Sequence, residues 1–237
     1  MNRVVCVGPT LHGLSIEPRD GLLFHPPLAR GDLLRLVELG AKAILIIDGF
    51  FGDRPSVGHK EILFALSRGV FVMGSASLGA LRAAECAAFG MVGVGGIFEE
   101  YKELRRVCDA DVAVAHAPEA LSWRPLSIAM VDIEATLSRL TSKFETNQID
   151  KLTHAARALH FTQRQWPEII ARAGLGEGLV HVLHEHEVSR KRIDAVKAIE
   201  VFKGHLLAPA SMNFEMTRPF AADMKRYAPG LARDIIL

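Results

Sequence analysis

The hexapeptide Gly74-Ser75-Ala76-Ser77-Leu78-Gly79 places two hydroxyls where a branched apolar run gives way to an alanine-rich helical pattern. A serine at the start of a helix lies beside backbone N–H groups that lack partners within the helix, and the helix dipole favours negative charge there. Ser77 is therefore placed either to attack a carbonyl, with the N–H groups of Leu78 and Gly79 holding the oxyanion, or simply to cap its helix. The stretch is also a degenerate form of G-x-S-x-G, with Ser75 standing at the first glycine position. A nucleophilic serine needs a base. The nearest candidate along the chain is Lys60 in Gly58-His59-Lys60-Glu61, with His59 as a second possibility. Ser–Lys pairs replace Ser–His–Asp in some hydrolases, provided the lysine is desolvated enough to be neutral. A solvated surface lysine is the plain alternative.

Other side chains can serve the same place. Asp48 and Gly49 follow an apolar run, where Asp48 either orients a base or forms an Asp-Gly turn. Thr10 follows another such run in Gly8-Pro9-Thr10. Arg82 can bind a carboxylate or pair with Glu85 at i,i+3. The cluster His181, His184, Glu185, His186 lacks the H-E-x-x-H spacing of a zinc helix, so no metal site is expected. Glycines 90–96 lack the order of a dinucleotide fingerprint, and no cofactor is expected.

These groups meet only if the elements carrying them converge. Residues 4–7, 43–47 and 70–73 are short apolar runs without alternation, which suits strands buried on both faces of a parallel sheet. Each ends in a turn signal, at Gly8-Pro9, Asp48-Gly49 and Gly74-Ser75. Helical patterns at 31–39, 56–67 and 78–89 separate them, giving the α/β class with a parallel βαβ core. In such a sheet the loops leaving the carboxyl ends gather at one edge. Glycine-dense residues 90–96 read as a loop before a peripheral helix, and another helix resumes near 128–144. Beyond residue 148 nearly everything is helical in pattern. The expected division is a core domain at 1–147 and a mainly helical C-terminal extension at 148–237.

The bulk properties narrow the partners. The 237 residues carry 28 Lys and Arg against 27 Asp and Glu, a formal charge of +1, so no global field draws nucleic acid or anionic lipid. No stretch reaches the roughly 20 apolar residues of a membrane span. Three scattered cysteines, Cys6, Cys86 and Cys108, form no disulfide framework, which points to a reducing, cytoplasmic setting.

Several blocks, taken in order, resemble the TfuA family: VGPTL (7–11), LIIDGFF (45–51), SVGHKEIL (56–63), GSASLGALRAAE (74–85), FGMVGVGGIFEEY (89–101), DADVAVAH (109–116) and, less closely, RPLSIAMVDIEATL (124–137). The resemblance implies an accessory partner of a YcaO enzyme in peptide-backbone thioamidation. It implies hydrolysis of a thiocarboxylated ubiquitin-like, ThiS-like sulfur carrier to release sulfide, and an improved grip of the YcaO partner on its precursor peptide. It assigns the Ser–Lys pair to the matching positions Ser77 and Lys60, with Gly74, Ser75, Leu78, Gly79, Asp48, Gly49, Thr10 and Arg82 around them. The competing expectation is a non-enzymatic, allosteric adaptor of the YcaO enzyme.

Overall fold

The computed structural model describes residues 2–14, 21–52, 54–204 and 213–236. Its centre is a five-stranded, all-parallel sheet of strands β1 (Arg3–Cys6), β2 (Leu22–His25), β3 (Ala43–Ile46), β4 (Phe71–Ser75) and β5 (Val92–Val94), in the order β2-β1-β3-β4-β5. The three strands expected from the apolar runs are there and parallel. In-register pairs such as Cys6 with Ile46 and Leu45 with Met73 join them.

Two strands were not expected. The β2 segment is a four-residue edge strand between Gly21 and Pro26-Pro27, too short to show a period. The glycine-dense segment read as a loop contains β5, and its glycines have a packing reason. A Cβ on Gly93 would lie 2.1 Å from the ring of Phe98, so only glycine lets that ring close on the sheet.

Helices α1 (Asp32–Glu38), α2 (His59–Ser67), α3 (Leu78–Cys86) and α4 (Gly96–Lys102) all cover one face. Leu33, Ile62, Ala80 and Ile97 pack there on Val4, Cys6, Ile44 and Val72. Each of these helices joins one strand to the next or follows the last, so short connections place them. The seam between α3 and the sheet depends on glycine. A Cβ on Gly79 would come within 1.8 Å of the Ile46 carbonyl oxygen, and one on Gly74 within 2.1 Å of the Gly79 oxygen.

The chain then builds a separate helical cluster from α5 (Met130–Arg139), α6 (Thr146–Ala158), α7 (Trp166–Ala173) and α8 (Leu179–Glu185), centred on Trp166, Ile170 and Leu183. The boundary expected at 147/148 falls in the first turn of α6, inside this cluster. Helix α9 (Arg190–Gly204) returns to the sheet and covers the other face, with Ala195, Ala198, Ile199 and Phe202 against Val5, Leu45, Phe71 and Met73. Arg3 holds its last turn by donating to the carbonyls of Phe202, at 2.9 Å, and Lys203. Finally α10 (Arg218–Tyr227) and α11 (Pro229–Ile236) pack Phe220 and Met224 onto Leu34 and Phe64, outside α1 and α2. Among the described residues no helix is long and apolar enough to cross a membrane.

Candidate functional site

Strand β1 leads outward to β2 while β3 lies on its other side, so the loops leaving β1 and β3 diverge and open a crevice at the carboxyl edge. Asp48 fixes its floor. This buried carboxylate accepts the N–H groups of Gly8 at 2.9 Å and Thr10 at 3.0 Å on Oδ2, and the Thr10 hydroxyl at 2.6 Å on Oδ1. Asp48 and Thr10 thus bind each other and shape the loop after β1, and neither side chain touches Lys60. Gly49 sits where a Cβ would strike the Leu78 side chain at 2.1 Å, which keeps the approach to the start of α3 open.

Ser77 occupies the N-cap position of α3, yet its hydroxyl makes no capping bond. It is 2% exposed, and Oγ donates instead to the Val112 carbonyl at 3.4 Å, long for a hydroxyl bond. The simple capping role is therefore unfilled. The preceding Ala76 has φ +63°, a left-handed conformation costing an alanine about 1 kcal/mol, and this turn swings Ser77 to the head of the helix. The Leu78 N–H, next after the serine, has no hydrogen-bond partner among the described residues, while the Gly79 N–H is used on the Ile47 carbonyl at 3.1 Å. Of the two backbone donors expected for an oxyanion, only that of Leu78 is vacant. Ser75, by contrast, is fully buried and donates to the carbonyls of Val94 at 2.7 Å and Asp194 at 3.2 Å, joining β4 to β5 and α9. Gly74 and Gly79 serve the tight α3 seam and do not line the cleft.

Lys60 does not meet Ser77. It stands in the first turn of α2, where its Nζ donates to the Glu215 carbonyl at 3.1 Å and lies 5.1 Å from the centre of the Phe214 ring. These contacts tie the first turn of α2 to the segment before α10. His59 pairs with Glu85 at 2.8 Å, and Arg82 donates to Glu85 at 2.6 Å and to the Val57 carbonyl at 3.1 Å. Those three side chains form an α2–α3 tie. Of the histidine cluster, His184 contacts Glu187 at 3.0 Å and His186 contacts Lys143.

The lysine that reaches the serine's acceptor comes from the other face of the sheet. Lys191, in the first turn of α9 and 3% exposed, donates from Nζ to the same Val112 carbonyl at 2.8 Å. Burial lowers its pKa, opposed by the nearby charges of Asp48 and Asp132. The turn carrying Val112 is itself clamped: Arg106 binds Asp111 and Glu134, and Arg164 donates to the Ala110 carbonyl at 2.7 Å. Lys191 was missed by the sequence reading, although a signal existed. Buried α9 positions 191, 194, 195, 198, 199 and 202 form one helical stripe, and two of them, Lys191 and Asp194, are charged. Asp194 caps α4 through the N–H groups of Gly96 and Ile97. A charge on an apolar stripe marks a group the tertiary structure uses.

Ser77 opens on a cleft of about 390 Å³ lined also by Pro9, Phe51, Val114, His116 and Phe161. His116 points its Nδ1 at the Ala117 carbonyl at 2.9 Å, so that nitrogen carries the proton and Nε2 is bare in the neutral ring. His116 also packs with Phe50 and Trp123, centroids 5.7 and 5.5 Å away, forming an aromatic rim.

Fold and site together define a parallel α/β protein with a cleft at the carboxyl edge of its sheet, lined by a serine at a helix N-terminus. Residues 48–165 match the family model for TfuA-like proteins, and the chain belongs to that family. The matched stretch includes Asp48, Ser77 and Val112 and ends before α9, so Lys191 lies outside it. No curated protein matches the chain.

Proposed function

We propose that this protein is the accessory partner of a YcaO enzyme in peptide-backbone thioamidation, hydrolysing a thiocarboxylated ubiquitin-like sulfur carrier through Ser77, with Lys191 rather than Lys60 as its base. Family membership supports the YcaO-associated role. The single observation carrying the chemistry is that an uncapped N-cap hydroxyl and a buried amine converge on the Val112 carbonyl beside an open cleft.

Neutral Lys191 takes the Ser77 proton as Oγ bonds to the thiocarboxylate carbon. The Leu78 N–H is the backbone donor left without a partner among the described residues and is assigned to the developing oxyanion. The C–S bond then breaks, sulfur leaves with the electron pair, and the proton held by Lys191 passes to it, giving hydrosulfide and an acyl-serine. Water, deprotonated by the same amine, attacks the ester, so the carrier departs as a carboxylate and Ser77 is restored. A carrier tail ending in small residues fits between Gly49, Gly52 and Pro9 at the cleft mouth. The reaction belongs to the cytoplasm, and the precursor peptide is reached through the YcaO partner.

The test follows the mass of a thiocarboxylated ThiS-like carrier on incubation with the protein. The expected result is replacement of sulfur by oxygen with wild-type protein and none with Ser77→Ala. Full conversion by both Ser77→Ala and Lys191→Met would leave the non-enzymatic adaptor as the standing account.

A further inference from the structure

The entry to α9, the helix that carries Lys191, is held from another element by two side chains one turn apart on α5. The Asp132 carboxylate accepts the Lys191 N–H on Oδ1 at 3.0 Å and the Ser189 hydroxyl on Oδ2 at 3.4 Å. The Thr136 hydroxyl accepts the Val188 N–H at 3.0 Å and donates to the Asp132 carbonyl at 2.8 Å. Residues at i and i+4 share a helix face, so α5 presents both side chains to the same stretch. Ser189 completes the cap by accepting the Arg192 N–H at 3.3 Å.

This arrangement decides where the amine sits. Lys191 is the second residue of α9, so any shift of the first turn moves its Nζ away from the Val112 carbonyl, which it meets at 2.8 Å. The turn carrying that carbonyl is tied to the same helix, since Arg106 binds both Asp111 and Glu134 of α5. One helix therefore holds the lysine and the carbonyl on which it converges with Ser77.

Asp132 is also a charge close to the amine. Its partners Lys191 N–H and Ser189 hydroxyl are donors, which suits the ionised carboxylate, while burial works the other way and raises its pKa. The carboxylates acting on the Lys191 amine are those of Asp48 and Asp132. Other charged groups around the start of α9 are committed elsewhere. Arg190 binds Glu100 at 2.6 Å, Arg192 donates to the His12 carbonyl at 2.8 Å, Asp194 holds the Gly96 and Ile97 N–H groups, and Glu187 accepts the Trp166 indole at 2.7 Å. Asp48 is anchored by Gly8 and Thr10, on the far side of the lysine from α5.

We propose that Asp132 is a positioning residue of this site: it fixes the first turn of α9, and so the place of the Lys191 amine, and its negative charge sets how readily that amine gives up its proton. The inference rests on the hydrolysis proposed above. A buried amine alone would be neutral too readily to be a strong base, and a nearby carboxylate restores part of its basicity.

The test reads charge and rate together. Asp132→Asn keeps an oxygen for the Lys191 N–H and removes the charge, whereas Asp132→Ala removes both. Lysine side-chain carbon NMR across pH, with the Lys191 signal assigned by its loss in Lys191→Met, should show the amine of Asp132→Asn titrating at lower pH than that of the wild-type protein. Sulfur loss from a thiocarboxylated ThiS-like carrier, followed by mass, should move with it, the rate on the acid limb relative to its plateau rising about threefold or more. Asp132→Ala should shift the limb in the same direction and also lower the plateau about tenfold or more, because the amine is no longer held in place. A merely structural Asp132 would alter stability and leave the Lys191 titration where it was, and that result overturns the inference. Should Asp132→Asn fail to fold, the wild-type protein decides: carboxyl carbon NMR must find Asp132 ionised over the range in which Lys191 titrates, and a protonated Asp132 there overturns the inference equally. Absence of hydrolysis by the wild-type protein refutes the proposed function and this inference with it, whereas hydrolysis with an unmoved Lys191 titration refutes this inference alone.

Discussion

The two faces of the sheet are covered by helices of different origin. On one face, α1 to α4 connect or follow successive strands, and each packs beside the strand it adjoins. On the other, α9 arrives after four intervening helices and about a hundred residues beyond β5. The local face supplies Ser77, a residue recognisable from the strand-to-helix turn alone. The distant face supplies Lys191, which no local pattern joins to the serine. The proposed site is built across the sheet edge from both, and its proposed nucleophile is more legible than its proposed base because a helix start is a local event.

The largest expected effect tests whether the two faces act as one unit. Ser77→Ala and Lys191→Met should each slow sulfur loss from the carrier about 10³-fold or more, and the double variant should be hardly worse than either, as for groups that act together. Additive losses, or an active Lys191→Met protein, would separate the faces. The rate should also rise with pH as Lys191 loses its proton, beginning below the usual lysine range because burial lowers its pKa. A profile flat from pH 6 to pH 9 with chemistry rate-limiting would argue against an amine base.

Packing tests come next. Phe202→Ala empties the centre of the α9 face, where its ring stacks on Phe71 at 6.3 Å, and should cost about 3–5 kcal/mol in denaturant unfolding. Gly79→Ala on the local face forces a methyl into the Ile46 carbonyl, and overpacking of this kind costs about 1–3 kcal/mol or more. If α9 were only loosely laid on the sheet, Phe202→Ala would cost less than Gly79→Ala.

Glu61 gives a pH test on the local face alone. Its carboxylate accepts the N–H groups of Gly31 at 2.8 Å and Gly58 at 3.0 Å, but desolvation dominates and pushes its pKa from 4.5 up to about 7. Between those values the folded protein holds the proton and the unfolded chain does not. Stability from this group is therefore greatest below pH 4.5 and falls as pH rises to 7, by about 3 kcal/mol over the window. Glu61→Gln should flatten that part of the unfolding profile, and an unchanged slope would assign it to other groups.

The smallest effect is expected at Lys60. Its bond to the Glu215 carbonyl and its place over Phe214 are partly solvated, so Lys60→Ala should cost about 1 kcal/mol or less and change the sulfur-release rate less than threefold. A loss as deep as that of Lys191→Met would restore Lys60 as the base and break the division between the faces.

Three central strands, the helices of the local face and the Ser77 turn were legible in the chain because each depends on neighbours within about ten residues. Runs such as Ala43–Ile46 must be buried on both sides whatever covers them. Strand β5 was hidden because glycine normally marks a loop, and the reason for Gly93 is a phenylalanine ring known only after folding. The choice between cap and nucleophile at Ser77 was likewise closed to the sequence, since both readings ask for a serine at the same place. In the tertiary structure the hydroxyl turns to the Val112 carbonyl and leaves the helix end uncapped, which supports the nucleophile proposed above. The choice of proposed base rests there too: Lys60 and Lys191 are both lysines in the first turn of a helix, and what distinguishes them is burial. Desolvation, which makes a lysine neutral, comes from packing of distant elements and is written in no short stretch of residues.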